Sequence, residues 1–417
     1  MKITKLKLAN VRAIQFAEFC FQPGFNLIVG ANGVGKTTVL DTLVVCLSAV
    51  ARATNRFSRH RARFGVDDIR LNAETLQAEC EFEVGGAGHR YFLDRFRKSS
   101  PLDVPPEWTR GTERIPRVST VEGFEGGSPP SGAGGNVLAV MFSTRRSVAS
   151  DRRPRGSGAQ GDVAAAFSGA LVNNRGLHLA EFADWMRAQE QIRWERPEAA
   201  RKLAALEKAV TRFLPDYRNL RPAEADDKRS LLIDRGNQTL PVRNLSDGER
   251  GLLALVLDLT RRLAQANEWT ADPAAGAEAV VLIDELELHL HPAWQRRVVT
   301  HLTKTFQKCQ FIATTHSPQV IGELEPSRVH IMTADGEVIS PSRSFGLDAS
   351  QVLDEVMETT PRTAEVHDLL ARVSKMIGLD RYDDAKALLS ELVEMVGEDD
   401  SEVIRIRTLL DFLREDA

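Results

Sequence analysis

Eight consecutive residues, Gly30-Ala31-Asn32-Gly33-Val34-Gly35-Lys36-Thr37, constrain this chain more than any other feature. They spell GxxxxGK[ST]. The apolar run Phe25–Val29 leads into them, and Thr37–Val50 follows as a helix with Val39, Leu40, Leu43, Val44 and Leu47 on one side. A strand that turns on glycines into a helix start presents backbone N–H groups to a phosphate, because no Cβ blocks the approach. Lys36 would reach the β- and γ-phosphates, and Thr37 would hold Mg²⁺. Gly30, Asn32, Gly33, Val34, Gly35, Lys36, Thr37 and Thr38 are therefore the expected nucleotide contacts. The motif also demands strands and helices in layers around it.

Three later stretches fit that demand. Val280-Val281-Leu282-Ile283 reads as a buried strand with Asp284 and Glu285 at its C-terminal end, where ligands of open α/β sheets bind. Asp284 would hold Mg²⁺, and Glu285 would position or deprotonate an attacking water. Asn244-Leu245-Ser246-Asp247-Gly248-Glu249-Arg250 precedes the apolar helix 251–263 and caps it with outward-facing N–H groups. Phe311-Ile312-Ala313-Thr314-Thr315-His316-Ser317-Pro318 places His316 just past another strand, where it can donate to a γ-phosphate. Strands over 279–283, 310–314, 329–332 and 337–339 alternating with helices imply a parallel α/β core.

In this order the four motifs resemble the ATP-binding-cassette ATPase class. SDGER is similar to its signature and TTHSP to its switch histidine. The opening LKLANVRAIQF and the ELELHLHP stretch resemble the SMC/RecF/OLD branch. SFGLDASQVLDEVM (344–357) and the helical tail resemble a bacterial subfamily of RecF-like ATPases that includes ATPases of anti-phage systems such as Septu and retron effectors. The class resemblance covers about residues 1–95 and 230–345. It implies an ABC-type P-loop ATPase head that binds ATP and Mg²⁺, dimerises head to tail around two nucleotides and hydrolyses ATP slowly. Ser246 and Gly248 would contact the γ-phosphate on the partner's P-loop, Asn10 and Arg12 would touch nucleotide, and His291 occupies the D-loop position. Asp247 stands at a glycine position of the signature and Glu249 at its glutamine. No clear glutamine marks the loop that joins Mg²⁺ to the water; Asp67-Asp68-Ile69-Arg70 falls near that place.

Four parts are expected. Residues 1–96 form an N-terminal lobe, 97–229 a linker and helical insertion, 230–345 a C-terminal lobe and 346–417 an acidic helical tail. Within the first lobe, 78–84 and 89–96 read as a hairpin. Pro, Gly and Ser accumulate over 97–135, a strand is expected over 137–141, and Pro197 splits helical periodicity over 163–214. Three apolar stripes after residue 363, separated by Gly378 and Gly397, predict a small helical unit.

Charge enters where partners are concerned. The 54 basic and 58 acidic side chains exclude a uniformly basic nucleic-acid binder. Yet residues 351–417 carry 17 acids against 8 bases, which leaves the body mildly basic. Arg52, Arg56, Arg59, Arg61 and Arg63 form one acid-free cluster; Arg145, Arg146, Arg152, Arg153 and Arg155 form another. Each fits either DNA or RNA phosphates or a solvated charged face. His289 and His291 alone do not make a metal site. Four cysteines without CxxC spacing, no signal peptide and no apolar run of membrane-spanning length predict a cytoplasmic protein with no membrane partner. With no HNH, Toprim-like or Ser-His-Asp constellation in view, a nuclease effector would be a separate subunit bound by the insertion or the tail; the tail could equally be a lid. A DNA-end-binding repair or chromosome-maintenance ATPase is the alternative to the defence reading.

Overall fold

In a computed structural model, the described residues are 1–55, 57–58, 60–97, 120–125, 138–144, 163–173, 175–223, 230–268, 270–333, 335–357, 359–360 and 362–415. They divide into two compact units, Met1–Asp348 and Ala349–Ala417.

Alternating side chains build the first sheet. β1 (Lys2–Val11) pairs antiparallel with β2 (Ile14–Cys20) and with β4 (Thr75–Val84); β5 (Ala87–Phe96) and β6 (Thr120–Glu125) complete the order β2-β1-β4-β5-β6. Leu6, Leu8, Ala78, Cys80 and Phe82 point inward. On the wet face, Lys7 lies opposite Glu79 and Lys5 opposite Glu81.

In a second sheet, Leu138–Phe142, Ala279–Ile283 and Gln310–Thr314 are buried throughout, as parallel strands covered on both faces are. Its order is β14-β13-β3-β12-β11-β7, from β3 (Phe25–Gly30), β7 (Leu138–Phe142), β11 (Ala279–Ile283), β12 (Gln310–Thr314), β13 (Val329–Met332) and β14 (Val338–Ile339). All but β14 run parallel. Phe142 pairs with Ile283, Ile283 with Ala313 and Thr314 with Ile28, so the C-terminal ends of four strands share one edge. β7 ends one residue later than the expected strand, and it belongs to this core sheet although it falls within the 97–229 span.

Between the two sheets runs α1 (Lys36–Thr54), buried over most of its surface. It is long and apolar enough to cross a bilayer despite Asp41, which corrects the expectation of no such run, but here it is a core helix. Cys46 of α1 meets Cys80 of β4 in this core; that hydrogen bond and burial push the Cys80 thiol well up, so it is a poor nucleophile.

The insertion contains α2 (Val163–Phe167), α3 (Leu179–Ile192) and α4 (Pro197–Phe213), with Pro197 opening α4 rather than kinking a longer helix. β8 (Tyr217–Pro222), β9 (Leu231–Arg235) and β10 (Gln238–Pro241) then form an antiparallel sheet leading to α5 (Asp247–Ala266). α5 packs on α2, α4, β7 and α6 (Pro273–Gly276), and α4 also touches α7 (Pro292–Thr305). α8 (Pro318–Ile321) follows β12.

The second unit comprises α9 (Ala349–Glu355), α10 (Ala364–Gly378), α11 (Tyr382–Val396) and α12 (Ser401–Glu415). Val366, Leu369, Val373, Ala385, Leu389, Leu392, Val403, Ile406 and Leu410 form its own core. Arg56, Arg59, Arg145, Arg146, Arg152, Arg153, Arg155 and most of the 97–135 stretch lie outside the described residues.

Candidate nucleotide site

The shared sheet edge gathers the chemistry. β3 ends at Gly30, where an added Cβ would sit 2.6 Å from the Met332 carbonyl; at Gly35 it would sit 2.9 Å from Ile14. Only glycine fits either place. Ala31, Asn32, Gly33 and Thr37 are exposed, Val34 is half-buried, and Lys36 and Thr38 are buried. The Lys36 ammonium donates to the carbonyls of Gly30 at 2.9 Å and Ala31 at 2.8 Å. Burial lowers its pKa, opposed by Asp284, Glu285 and Glu287 nearby.

From the next strands come the acids. The Thr37 hydroxyl lies 3.4 Å from both carboxylate oxygens of Asp284, a pair of hard oxygen donors suited to Mg²⁺. Asp284 is fixed by the Thr314 hydroxyl at 2.7 Å, and its own N–H donates to Phe142. Thr314 also accepts from the Glu285 N–H at 2.7 Å. Glu285 has φ 48° and His289 φ 61°, sparsely populated values for such residues and frequent at functional sites. His316 is half-buried; burial first, and Lys36 second, lower its pKa, which favours the neutral imidazole.

Several partners escaped the sequence reading. Glu287 accepts from the Thr315 hydroxyl and the His316 N–H, both at 2.6 Å, and so holds the His316 backbone. Its signal was its place two residues past Glu285. Arg12 has φ 50° and pairs with Asp41 at 2.5 Å and Asp68 at 2.8 Å. Burial disfavours its charge, but these two carboxylates outweigh that and raise its pKa. Asp41, one turn past Thr37, also accepts from Asn173, and burial raises its pKa. The Asp67–Arg70 stretch thus folds onto the β1–β2 turn, with the Arg70 N–H donating to Asn10. The residue that follows β7 at the sheet edge is Ser143.

The segment expected to be the signature, 244–250, is a helix start. Ser246 is the N-cap of α5, in a reciprocal capping box with Glu249. Gly248 is buried, and a Cβ there would meet the His289 carbonyl at 2.5 Å. His291 caps α7 by accepting from the Ala293 N–H. Of the arginine cluster, Arg52 is half-buried and donates to Ser48, Arg61 pairs with Glu122 at 2.6 Å, and Arg63 is exposed. Among the described residues no group of three His, Cys, Asp or Glu side chains forms a metal cage.

Comparison with known proteins agrees with this geometry. A family model described as "AAA domain, putative AbiEii toxin, Type IV TA system" matches residues 161–322, and one described as "AAA domain" matches residues 5–154. The Retron Ec83 probable ATPase of Escherichia coli is 34% identical over 212 residues, covering 50% of this chain and 39% of that protein. The chain therefore spans about two fifths of that relative's length. Septu protein PtuA of Bacillus thuringiensis is 23% identical over 335 residues, 76% of this chain and 72% of that one. Among solved structures, the SMC head domain from Thermotoga maritima covers 82% of this chain and 99% of that one, with a TM-score of 0.43 at 16% identity. With a glycine-rich loop and an acidic strand end at one sheet edge, the chain is similar to AAA-domain proteins and to the ATPases of retron and Septu systems.

Proposed function

We propose that this protein hydrolyses ATP with Mg²⁺ in the bacterial cytoplasm, dimerises around two nucleotides, and acts as a nucleotide-dependent switch in anti-phage defence with a partner effector such as an HNH nuclease. The observation that carries the reading is the convergence of Lys36, Thr37, Asp284, Glu285 and His316 at the ends of β3, β11 and β12. Bound Mg²⁺ would neutralise phosphate charge, held by Thr37 and Asp284. Lys36 would exchange its two carbonyl partners for phosphate oxygens. Glu285 would take a proton from the attacking water, and His316 would donate to the γ-phosphate. Ser246 would complete the site of a second copy.

The matches to a retron ATPase and to PtuA support the defence setting. Glu285→Gln is expected to lower ATP hydrolysis by about 10²–10⁴-fold while keeping ATP affinity. The same variant should accumulate as an ATP-linked dimer by light scattering. Equal turnover in variant and parent would remove Glu285 as the base. Salt-dependent DNA binding lost on replacing Arg61 and Arg63 would favour the repair reading instead.

A further inference from the structure

Glu249 contacts the signature serine more closely than helix capping needs. The Ser246 hydroxyl lies 2.7 Å from Glu249 Oε2, and the Ser246 N–H donates to the same oxygen at 3.1 Å. The Glu249 N–H returns a bond to Ser246 Oγ at 3.3 Å. On its far side, Glu249 Oε1 accepts from the Tyr217 hydroxyl at 2.8 Å. Tyr217 is fully buried in β8, with the Arg235 guanidinium 5.4 Å over its ring. Burial opposes the Glu249 charge, but the bonds from Ser246 and Tyr217 outweigh it and hold the carboxyl below its usual range. Glu249 is thus an ionised acceptor with no proton to give.

A serine hydroxyl has one proton. While Ser246 gives it to Glu249, only lone pairs remain for a γ-phosphate, and anion would face anion. We propose that Glu249 gates the signature: it withholds the Ser246 hydroxyl proton from the partner-bound γ-phosphate, and Tyr217 anchors it in that position. ATP-driven closure then requires the serine to exchange a carboxylate for a phosphate oxygen. Glu249 is a positioning residue in this scheme, acting through Ser246. The corner that supplies Tyr217 also holds the neighbouring helix: Phe213 stacks on Trp294 at 6.2 Å between centroids, and its carbonyl meets His301 Nδ1 at 2.6 Å. The insertion therefore has a direct structural line to the serine.

The inference rests on the proposed ATP sandwich, so the experiment separates the two. In a Glu285→Gln background, the ATP concentration at half-maximal dimerisation is measured by light scattering, with melting temperature as a folding control. Glu249→Gln keeps a capping-box residue but replaces the ionised acceptor with a neutral amide. It should lower the dimerisation midpoint about five- to tenfold. In a Ser246→Ala background the same change should shift it less than about twofold, since no proton is contested. An unchanged or raised midpoint, or an equal shift without the serine, overturns the gate. Ser246→Arg should block dimerisation; if it dimerises as the parent does, the sandwich reading falls and the gate with it. If it blocks dimerisation while Glu249→Gln shifts nothing, only the gate falls.

Discussion

A histidine in an apolar strand, VHIM, looks like a minor exception on the page, and the fold makes it a pH sensor of stability. His330 is 4% exposed, with its ring edge-on to Phe19 and Phe21 at 6.1 and 5.4 Å. Burial pushes its pKa from 6.5 down to about 4. In the unfolded chain the imidazole takes up a proton near pH 6.5, whereas the folded protein refuses it until about pH 4. Its contribution to stability is therefore present above pH 6.5 and lost as the pH falls through about 4. The loss is about 3 kcal/mol. His330→Phe keeps an aromatic ring between the two phenylalanines and should flatten the acid limb of urea-unfolding free energy between pH 6.5 and 4. A limb of unchanged slope would show that His330 is not its source. At this same scale, Lys36, Thr37, Asp284, Glu285 and His316 were singled out by motif spacing, and the fold brings them to one sheet edge. Glu287, Asp41 and Tyr217 were not. Their roles come from hydrogen bonds across 28 to 132 residues of chain, which no local pattern records.

Among elements, α5 departs most from its sequence appearance. Its apolar run reads as a simple core helix, yet Asp258 lies fully buried within it. Arg175 at 2.6 Å, Arg262 at 2.9 Å and Arg261 at 3.2 Å surround the carboxylate. Burial disfavours its charge, but these arginines hold its pKa far below the usual carboxylate range. Arg262 is as buried, and burial lowers its pKa to about 10; it donates onward to the carbonyls of Ala166 and Ser168. Arg175 also lies 5.8 Å over the Phe142 ring, beside the strand end that receives the Asp284 N–H. The cluster ties α5, α2 and β7 together. Removing one charge leaves others uncompensated in the core, so Asp258→Asn should cost about 3–5 kcal/mol in denaturant unfolding. Replacing Asp258 and Arg262 together with leucine leaves two guanidiniums unpaired instead of three and should cost less than Asp258→Asn. A larger loss in the double variant would contradict the cluster's electrostatic origin. The helix itself was legible, and so was its N-terminal cap. Its buried charges were not: Arg261 and Arg262 lie one turn from Asp258 on the same helix, but Arg175 joins them, and all are buried, only after packing.

At the scale of the whole molecule, two cores among the described residues differ in character. The first joins a parallel and an antiparallel sheet through α1; the second is built from α10, α11 and α12 alone among the described residues. Leu392 is fully buried in the second. Leu392→Ala should destabilise that unit by about 2–5 kcal/mol. Hydrogen exchange should report the loosening within 362–415, with ATP affinity of the first unit unchanged. A matching loss of protection in α1 would show that the two cores unfold together. The charge divides along similar lines: 351–417 holds 17 acids and 8 bases within an almost neutral total.

The sequence by itself determined the α/β class, the glycine-rich turn from strand into helix, the acidic strand end and the helical tail. Each depends on local spacing: two residues per strand repeat, 3.6 per helix turn, and glycines where backbone must approach a phosphate. Tertiary structure alone decided that β7 joins the core sheet, that Arg12 lies between Asp41 and Asp68, and that Glu249 holds Ser246 while Tyr217 holds Glu249. These contacts depend on which distant segments the burial of apolar faces brings together, and charge and hydrogen-bond partners are assigned only once those faces have met.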